Sequence, residues 1–374
     1  RALFAQEISG GGGNAVNFLD VSEQAAEKGD GTKLTPANPV IASTDRLIGL
    51  GLNLIEACKA DGWLSSFQDR LSKYCPEDED ETDDSVATAQ TPSAPMKSDT
   101  EGNFSTSGTN SSALSMQSVA GSGGTSSETI TTDEIAETDA LILIGSVGSD
   151  TEDANDIISE HDGSLTTTGS DSPGVDLQTI GSGGGTSILF LDVKDTTAGQ
   201  SSSPTRAITS VLGARGASSG DGGDITSTYV GSITTSQSRS PGILLQTIGA
   251  GGGRVVTTGF STETVHLGGS EGATGNGGVI QLTNTGDIST SGEFSHGMIL
   301  QTVGGGGGLY TSDTASGLPL VIKQSSNSGA GGAITATQIG NVTTSGDGTV
   351  GLLFQSAGGG GGIVDGVLDR KSVV

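Results

Sequence analysis

The stretch Gly231–Gly253, GSITTSQSRSPGILLQTIGAGGG, decides how the rest of this chain is read. It holds a short β-branched run, a six-residue apolar run with one glutamine, and a closing run of glycines. The same pattern returns without a gap in Gly102–Gly124, Gly163–Gly185, Gly286–Gly308 and Gly340–Gly362, the starts lying 61, 68, 55 and 54 residues apart. The block keeps its length while the spacing varies. Insertions are therefore accepted only between blocks, as expected when each block is one layer of a stack.

Comparison of the copies shows which side chains are expected to point inward. The third position is always apolar (Phe104, Leu165, Ile233, Ile288, Val342), and so are the thirteenth and fifteenth, for example Ile243 and Leu245. Between those two lies a position that accepts a charge (Ser115, Asp176, Leu244, Ile299, Leu353) and is expected to face solvent. That is the period of a strand with one buried face. Thr106, Thr167, Thr235, Thr290 and Thr344 share the inward side by parity, and their hydroxyls are expected to satisfy one another along the stack. By the same count Gln117, Gln178, Gln246, Gln301 and Gln355 face outward. The apolar eighteenth position (Val119, Ile180, Ile248, Val303, Ala357) then requires a bend after the glutamine. The glycines supply tight corners with positive φ.

Residues 1–13, RALFAQEISGGGG, superimpose on the second half of the block, with Gln6 in the place of the glutamine. Because Arg1 is no natural initiator, the chain is expected to have been cut from a longer array. In the last interval strand-like runs occur at Leu318–Gln324, Ala333–Gln338, Asn341–Ser345 and Gly351–Ser356. Three short faces per turn predict coils of about 25 residues, hence two per interval. Residues 102–362 would then make about ten coils and a rod of about 50 Å.

Composition agrees with a solenoid better than with a globule or a coil. Among 374 residues there are 64 glycines and only 3% aromatics, too few large side chains for a compact core. Yet 32% are hydrophobic and recur in short β-rich runs, which separates the chain from disordered sequences. A formal charge of −27 repels nucleic-acid phosphates and anionic lipid. No apolar run approaches the roughly 20 residues of a spanning helix.

The repeat is interrupted near the N-terminus. Residues 14–42 read as an irregular connection and 43–75 as a helical hairpin. Ser43 can cap, Leu47, Ile48, Leu52 and Ile55 lie at helical spacing, and Trp63, Leu64, Phe67 and Leu71 continue the face beyond Asp61-Gly62. Cys58 and Cys75 fit one disulfide in an oxidising compartment, or two free thiols. The bridge would clamp the hairpin by roughly 3 kcal/mol. The hairpin reads either as a recognition module or as a packing decoration. Residues 76–99, with Glu77–Asp84 (EDEDETDD), read as an acidic Pro/Ser/Thr linker, and 100–374 as the solenoid proper. The acidic run lacks the spaced Asp and fixed Gly of a dedicated calcium loop, so loosely held calcium is the only cofactor it allows.

Catalytic constellations are hard to find. His161, His266 and His296 each stand alone and read as surface residues. Gly268–Gly272 has the letters of a nucleophile elbow without the strand and helix that turn needs. The G-x-G-x-x-G matches have no helix to hold a phosphate, and no Cys/His metal spacing exists. A polysaccharide-cleaving solenoid would need paired acids, and Asp176 has neither an equivalent in the other copies nor a nearby partner. No catalytic, cofactor or metal residue is assigned, and no enzyme is expected.

The block as it stands in Gly231–Gly253, Gly286–Gly308 and Gly340–Gly362 resembles the repeats of large bacterial autotransporter passengers and related β-strand-repeat adhesins. The likeness covers about residues 1–13 and 100–365 and rests on a Gln followed by Ser/Thr, an apolar residue and the glycine run. It implies an all-β, right-handed parallel β-helix, from which the small α-helical insertion departs. It also implies export through the outer membrane by type V secretion to the bacterial cell surface, in adhesion, aggregation or biofilm formation. The expected function is an extracellular structural and adhesive spacer displaying its loops and insert. Its expected partner is a host or neighbouring-cell surface, or itself, without nucleic acid or direct membrane insertion. A self-assembling filament or sheath subunit is the alternative, and a polysaccharide-cleaving β-helix enzyme a more distant one.

Overall fold

The computed structural model describes residues 3–8, 12–20, 45–50, 94–121, 123–133, 138–144, 152–194, 206–212, 219–260, 262–267, 272–312 and 328–366. The described residues form a parallel β-solenoid. Every strand pairing is parallel, and no α-helix occurs among the described residues. No helix among them is long and apolar enough to cross a membrane.

One coil carries five strands, which fall into five sheets numbered here in the order the chain visits them. In the coil holding Gly231–Gly253 these are Ile225–Val230 (sheet I), Ile233–Thr235 (sheet II), Ile243–Ile248 (sheet III), Gly252–Thr258 (sheet IV) and Thr262–Leu267 (sheet V). Sheets III and IV each contain six described strands, sheets I and II five, and sheet V four. The register is in step with the sequence blocks throughout. Ile243 pairs with Val175 and Met298, and Ile233 with Leu165 and Ile288.

Each block interval is therefore one coil, not two. Residues 102–362 hold five coils, spanning about 19 Å from first to last at about 4.8 Å per step. The strand positions expected in the last interval hold to within a residue at Ile334–Ile339, Val342–Thr344 and Leu352–Ala357, and Leu318–Gln324 lies outside the described residues. What the spacing argument missed is that the coil is rolled. Sheet III lies between sheets I and II on one side and sheet IV on the other, and sheet V lies against the far side of sheet IV. A rolled section needs about twice the chain of a three-sided coil.

The main core is the inward set expected from the blocks. Leu165, Ile233 and Ile288 meet Leu114, Met116, Val175, Leu177, Ile243, Leu245, Met298 and Leu300, closed by Ile157, Ile225 and Ile280 of sheet I. The position expected to face solvent is instead buried. Leu244 and Ile299 pack with Leu309 of sheet IV, while Leu353 and Ile363 complete that second, smaller core. Sheet III thus has two buried faces, and a residue that leaves one core enters the other. No bend follows the glutamine either: Ile243–Ile248 is one unbroken strand. Val119, Ile180, Ile248 and Val303 stay on the glutamine's side and form an apolar cluster of their own.

The turn from sheet II to sheet III is held by paired side-chain bonds. The hydroxyl of Thr167 donates to the Ser172 carbonyl at 2.7 Å, and Thr235 does the same to Ser240 at 2.5 Å. Thr106 bonds the Ser111 carbonyl in the same way. Thr167, Thr235 and Thr290 are buried as expected and Thr106 and Thr344 half-buried, but Thr106, Thr167, Thr235 and Thr290 bond within their own coils rather than along the stack. The inter-coil role belongs to the serines: Ser240 Oγ accepts from the Ser172 N–H, and Ser295 Oγ from the Ser240 N–H, both at 3.0 Å.

Near the N-terminus, Leu3–Ile8 pairs with Leu114–Val119 and places Gln6 opposite Gln117, as the partial block implies. Gly12–Asp20 then pairs with Gly123–Asp133, so residues 14–20 are strand rather than irregular connection. Asp45–Leu50 is also a strand, with Leu47 opposite Leu141 and Ile48 opposite Ile142 in sheet V. This corrects the helix expected to begin at Ser43. A short apolar run such as RLIGL suits either state, and a neighbouring β-branched strand decides it. Residues 51–93, with Cys58, Cys75 and Glu77–Asp84, lie outside the described residues, and Met96–Glu101 at the end of the expected linker is the first sheet I strand.

Candidate functional site

The most distinctive construction in the molecule is the column of glutamines. Sheet III turns Gln117, Gln178, Gln246 and Gln301 away from the main core and beneath sheet IV, where each is at most 3% exposed. Parity had placed them on the outer face. They do leave the main core, but a further sheet covers them. Nε2 of Gln117 donates to Oε1 of Gln178 at 2.7 Å, Gln178 to Gln246 and Gln246 to Gln301 at 2.6 Å, and Gln301 to Gln355 at 2.7 Å. Sheet IV supplies further bonds to several of them. Thr125 and Thr186 donate to Gln117 and Gln178 at 3.0 and 2.8 Å, and Gln301 donates to the Gly308 carbonyl at 3.2 Å. A buried amide that makes its bonds is tolerated, and one that does not is costly. This requirement is why the residue type recurs.

Beside the glutamines, the second core changes character along the axis. Where later coils carry Leu244, Ile299 and Leu309, the earlier ones carry Ser115, Asp176, Thr125 and Thr186, and Arg254 spans the gap. Arg254 is 2% exposed, and its Nη1 lies 3.2 Å from Asp176 Oδ2. The partner of Asp176 was missed because it lies 78 residues away, in sheet IV of the next coil. A small polar cavity adjoins the pair, lined in part by Gln117, Gln178 and Ile188. Removing one member, as in Arg254→Met, is expected to cost about 3–5 kcal/mol by leaving a buried carboxylate. The double variant Asp176→Leu/Arg254→Leu reproduces the Leu244 and Leu309 pairing of the neighbouring coils. It is expected to recover most of that loss in urea unfolding.

A second ion pair joins two coils at the sheet II corner. Arg239 Nε and Nη2 reach Asp171 Oδ1 and Oδ2 at 2.7 and 2.9 Å. Both residues have φ of 56°. The acidic loops before sheet I also have a structural use. Asp153 Oδ1 accepts the Asp221 N–H at 2.7 Å, Asp221 Oδ1 the Asn276 N–H at 2.6 Å, and Asn276 Oδ1 the Ala330 N–H at 2.9 Å. These exposed side chains cap the next coil and leave an acidic edge.

The histidines correct their expected surface placement. His296 is 4% exposed; its Nδ1 accepts the Val350 N–H, and its Nε2 lies 2.9 Å from Asp365 Oδ2. His161 is 3% exposed on the inner face of sheet I. His266 lies on the strand Thr262–Leu267, and Gly268–Glu271 of the elbow-like stretch fall outside the described residues. Neither buried histidine has a serine or cysteine nucleophile among its hydrogen-bond partners. Among the described residues no three His, Cys, Asp or Glu side chains are grouped to hold a metal ion.

Comparison with protein-family models, curated proteins and solved structures gives no match. Among the described residues the buried glutamines, the corner serines and the Asp176–Arg254 pair bond from one coil to the next. The sequence signal for this was available in the serine of the tenth block position (Ser111, Ser172, Ser240, Ser295), which the apolar count passed over.

Proposed function

We propose that this chain is a structural and adhesive segment of an extracellular bacterial surface protein, in which stacked coils act as a stiff spacer and the inter-coil loops make contact. The observation that carries this reading is the continuous glutamine column. Four consecutive side-chain bonds of 2.6–2.7 Å tie five coils into one body. Stiffness along an axis is what a spacer requires, and repetition with variable connections provides it while leaving the loops free to differ. The acidic edge and the net charge of −27 suit a hydrated outer surface and disfavour nucleic acid as a partner. The likeness of the blocks to autotransporter passenger repeats supports the same assignment.

The test is to display the whole chain on a non-adherent bacterial strain and measure settling and attachment to glass and to cultured cells. Attachment above the empty display scaffold is expected. Protease-resistant, fully displayed chain with no gain in attachment or aggregation would overturn the reading, as would sugar release from a glycan panel by the purified protein.

A further inference from the structure

The inner face of sheet I is not uniformly apolar. One column along it reads Thr100, His161, Tyr229, Asn284 and Gln338 in successive coils, all in register. The last two share one bond, Asn284 Nδ2 donating to Gln338 Oε1 at 2.8 Å, while Asn284 Oδ1 has no partner. His161 is also only half provided for. Its Nδ1 lies 3.0 Å from Thr100 Oγ1 across the coil boundary, its ring sits 4.7 Å from that of Phe104, and its buried Nε2 has no hydrogen-bond partner.

The groups around this ring decide what a proton would do there. From the preceding coil Thr100 faces it and sheet II supplies Phe104; from the following coil comes Tyr229, whose phenol is held neutral by burial. The carboxylates of the same strand pair, Asp99, Glu101, Glu160 and Asp162, stand on the exposed outer side. A neutral imidazole fits this face. An imidazolium would be a buried cation with an aromatic ring, a hydroxyl and the Thr100 and Gly163 backbones for company and no carboxylate on its own side.

We propose that His161 is an acid-operated latch between the strands Met96–Glu101 and Ile157–Asp162: neutral, it holds the two coils together, and protonated, it releases the earlier one. The direction agrees with the ring's titration. Burial lowers its affinity for the proton below the ordinary 6.5, outweighing the opposing pulls of Asp162 and of the Thr100 and Gly163 backbones. The released chain then binds the proton more readily than the closed coil does. Closure is fully stable above about pH 6.5 and weakens as the pH falls through that value toward the lower folded pKa.

Hydrogen exchange read by mass spectrometry at about pH 7.5 and about pH 5.5, corrected for intrinsic rates, tests the latch above the main range of carboxylate titration. In the wild type, protection of residues 96–106 and 157–162 is expected to drop by up to about tenfold at the lower pH, the most that protonation of a released imidazole of ordinary pKa can produce over that interval. The strand Met298–Val303 is expected to keep its protection. In His161→Gln the acid-induced drop is expected to vanish. An equal drop in that variant, or none in the wild type, would overturn the proposal. Should the variant fail to fold, the wild-type imidazole can be followed by NMR, where protonation of His161 at or above pH 6.5 without loss of protection is the overturning result.

Discussion

Gly252→Ala is expected to be among the most damaging single substitutions at the described residues, lowering stability by at least about 4 kcal/mol. Gly252 opens the sheet IV strand with φ of 139°, a backbone conformation that side chains rarely adopt. Forcing alanine into it costs about 1–3 kcal/mol before any contact is considered. The contact is worse: a Cβ there would lie 1.9 Å from the carbonyl oxygen of Gly307 in the next coil. That oxygen belongs to a backbone fixed in register with Gly252, so it cannot swing aside as a side chain would. Relief requires the coils to part locally, with loss of ladder bonds around Gly252. Gly184 meets Gly252 in the same way at 2.0 Å, so the effect is expected to repeat at Gly184→Ala. Urea unfolding would measure it, and a loss below about 1 kcal/mol would contradict this account of the glycine column.

Gln246→Leu is expected to cost about 2–5 kcal/mol, although leucine is apolar and of similar size. The residue is fully buried, receives a bond from Gln178 and gives one to Gln301, both at 2.6 Å. Leucine does neither, which strands a buried N–H on one side and a buried carbonyl on the other. The informative companion is Gln246→Glu. A protonated carboxyl can still accept from Gln178 and donate to Gln301, whereas a carboxylate presents a charge to the Gln301 oxygen. Burial raises the folded-state pKa of such a glutamate above the unfolded value of about 4.3. Its stabilising contribution is then present below about pH 4 and is lost as the pH climbs through the raised value. Glu at 246 should therefore unfold at higher urea than Leu near pH 4, and the two should converge or invert near pH 7.

These two positions also show what the amino-acid order disclosed and what it withheld. The glycine run was legible as a corner because no other residue type repeats in that way. The inward apolar positions were legible because Ile233 and Ile243 keep a period of two that five copies confirm. The glutamine's environment was not. Alternation along one strand separates two faces but cannot tell water from a second sheet, and sheet IV lies immediately beyond the glycines in sequence. The tolerance for Asp176 pointed to solvent when read within the block. It pointed to Arg254 only once the coil length was known, and the coil length was halved by treating each strand-like run as one side of a three-sided section. His161 was hidden for a related reason. It falls just before its block, where variable spacing prevented comparison of the copies. The strand Asp45–Leu50 carries too few residues for periodicity to separate strand from helix.

The glutamine bonds all run one way: each amide nitrogen reaches toward the copy later in the chain. The column therefore has a sense, like a row of arrows nose to tail. A coil laid on it in reverse would set oxygen against oxygen or nitrogen against nitrogen, in a place that water does not reach. Any layer that joins this column must arrive with the same handedness of donor and acceptor, so neighbour selection is written into the interior and not only into the surface.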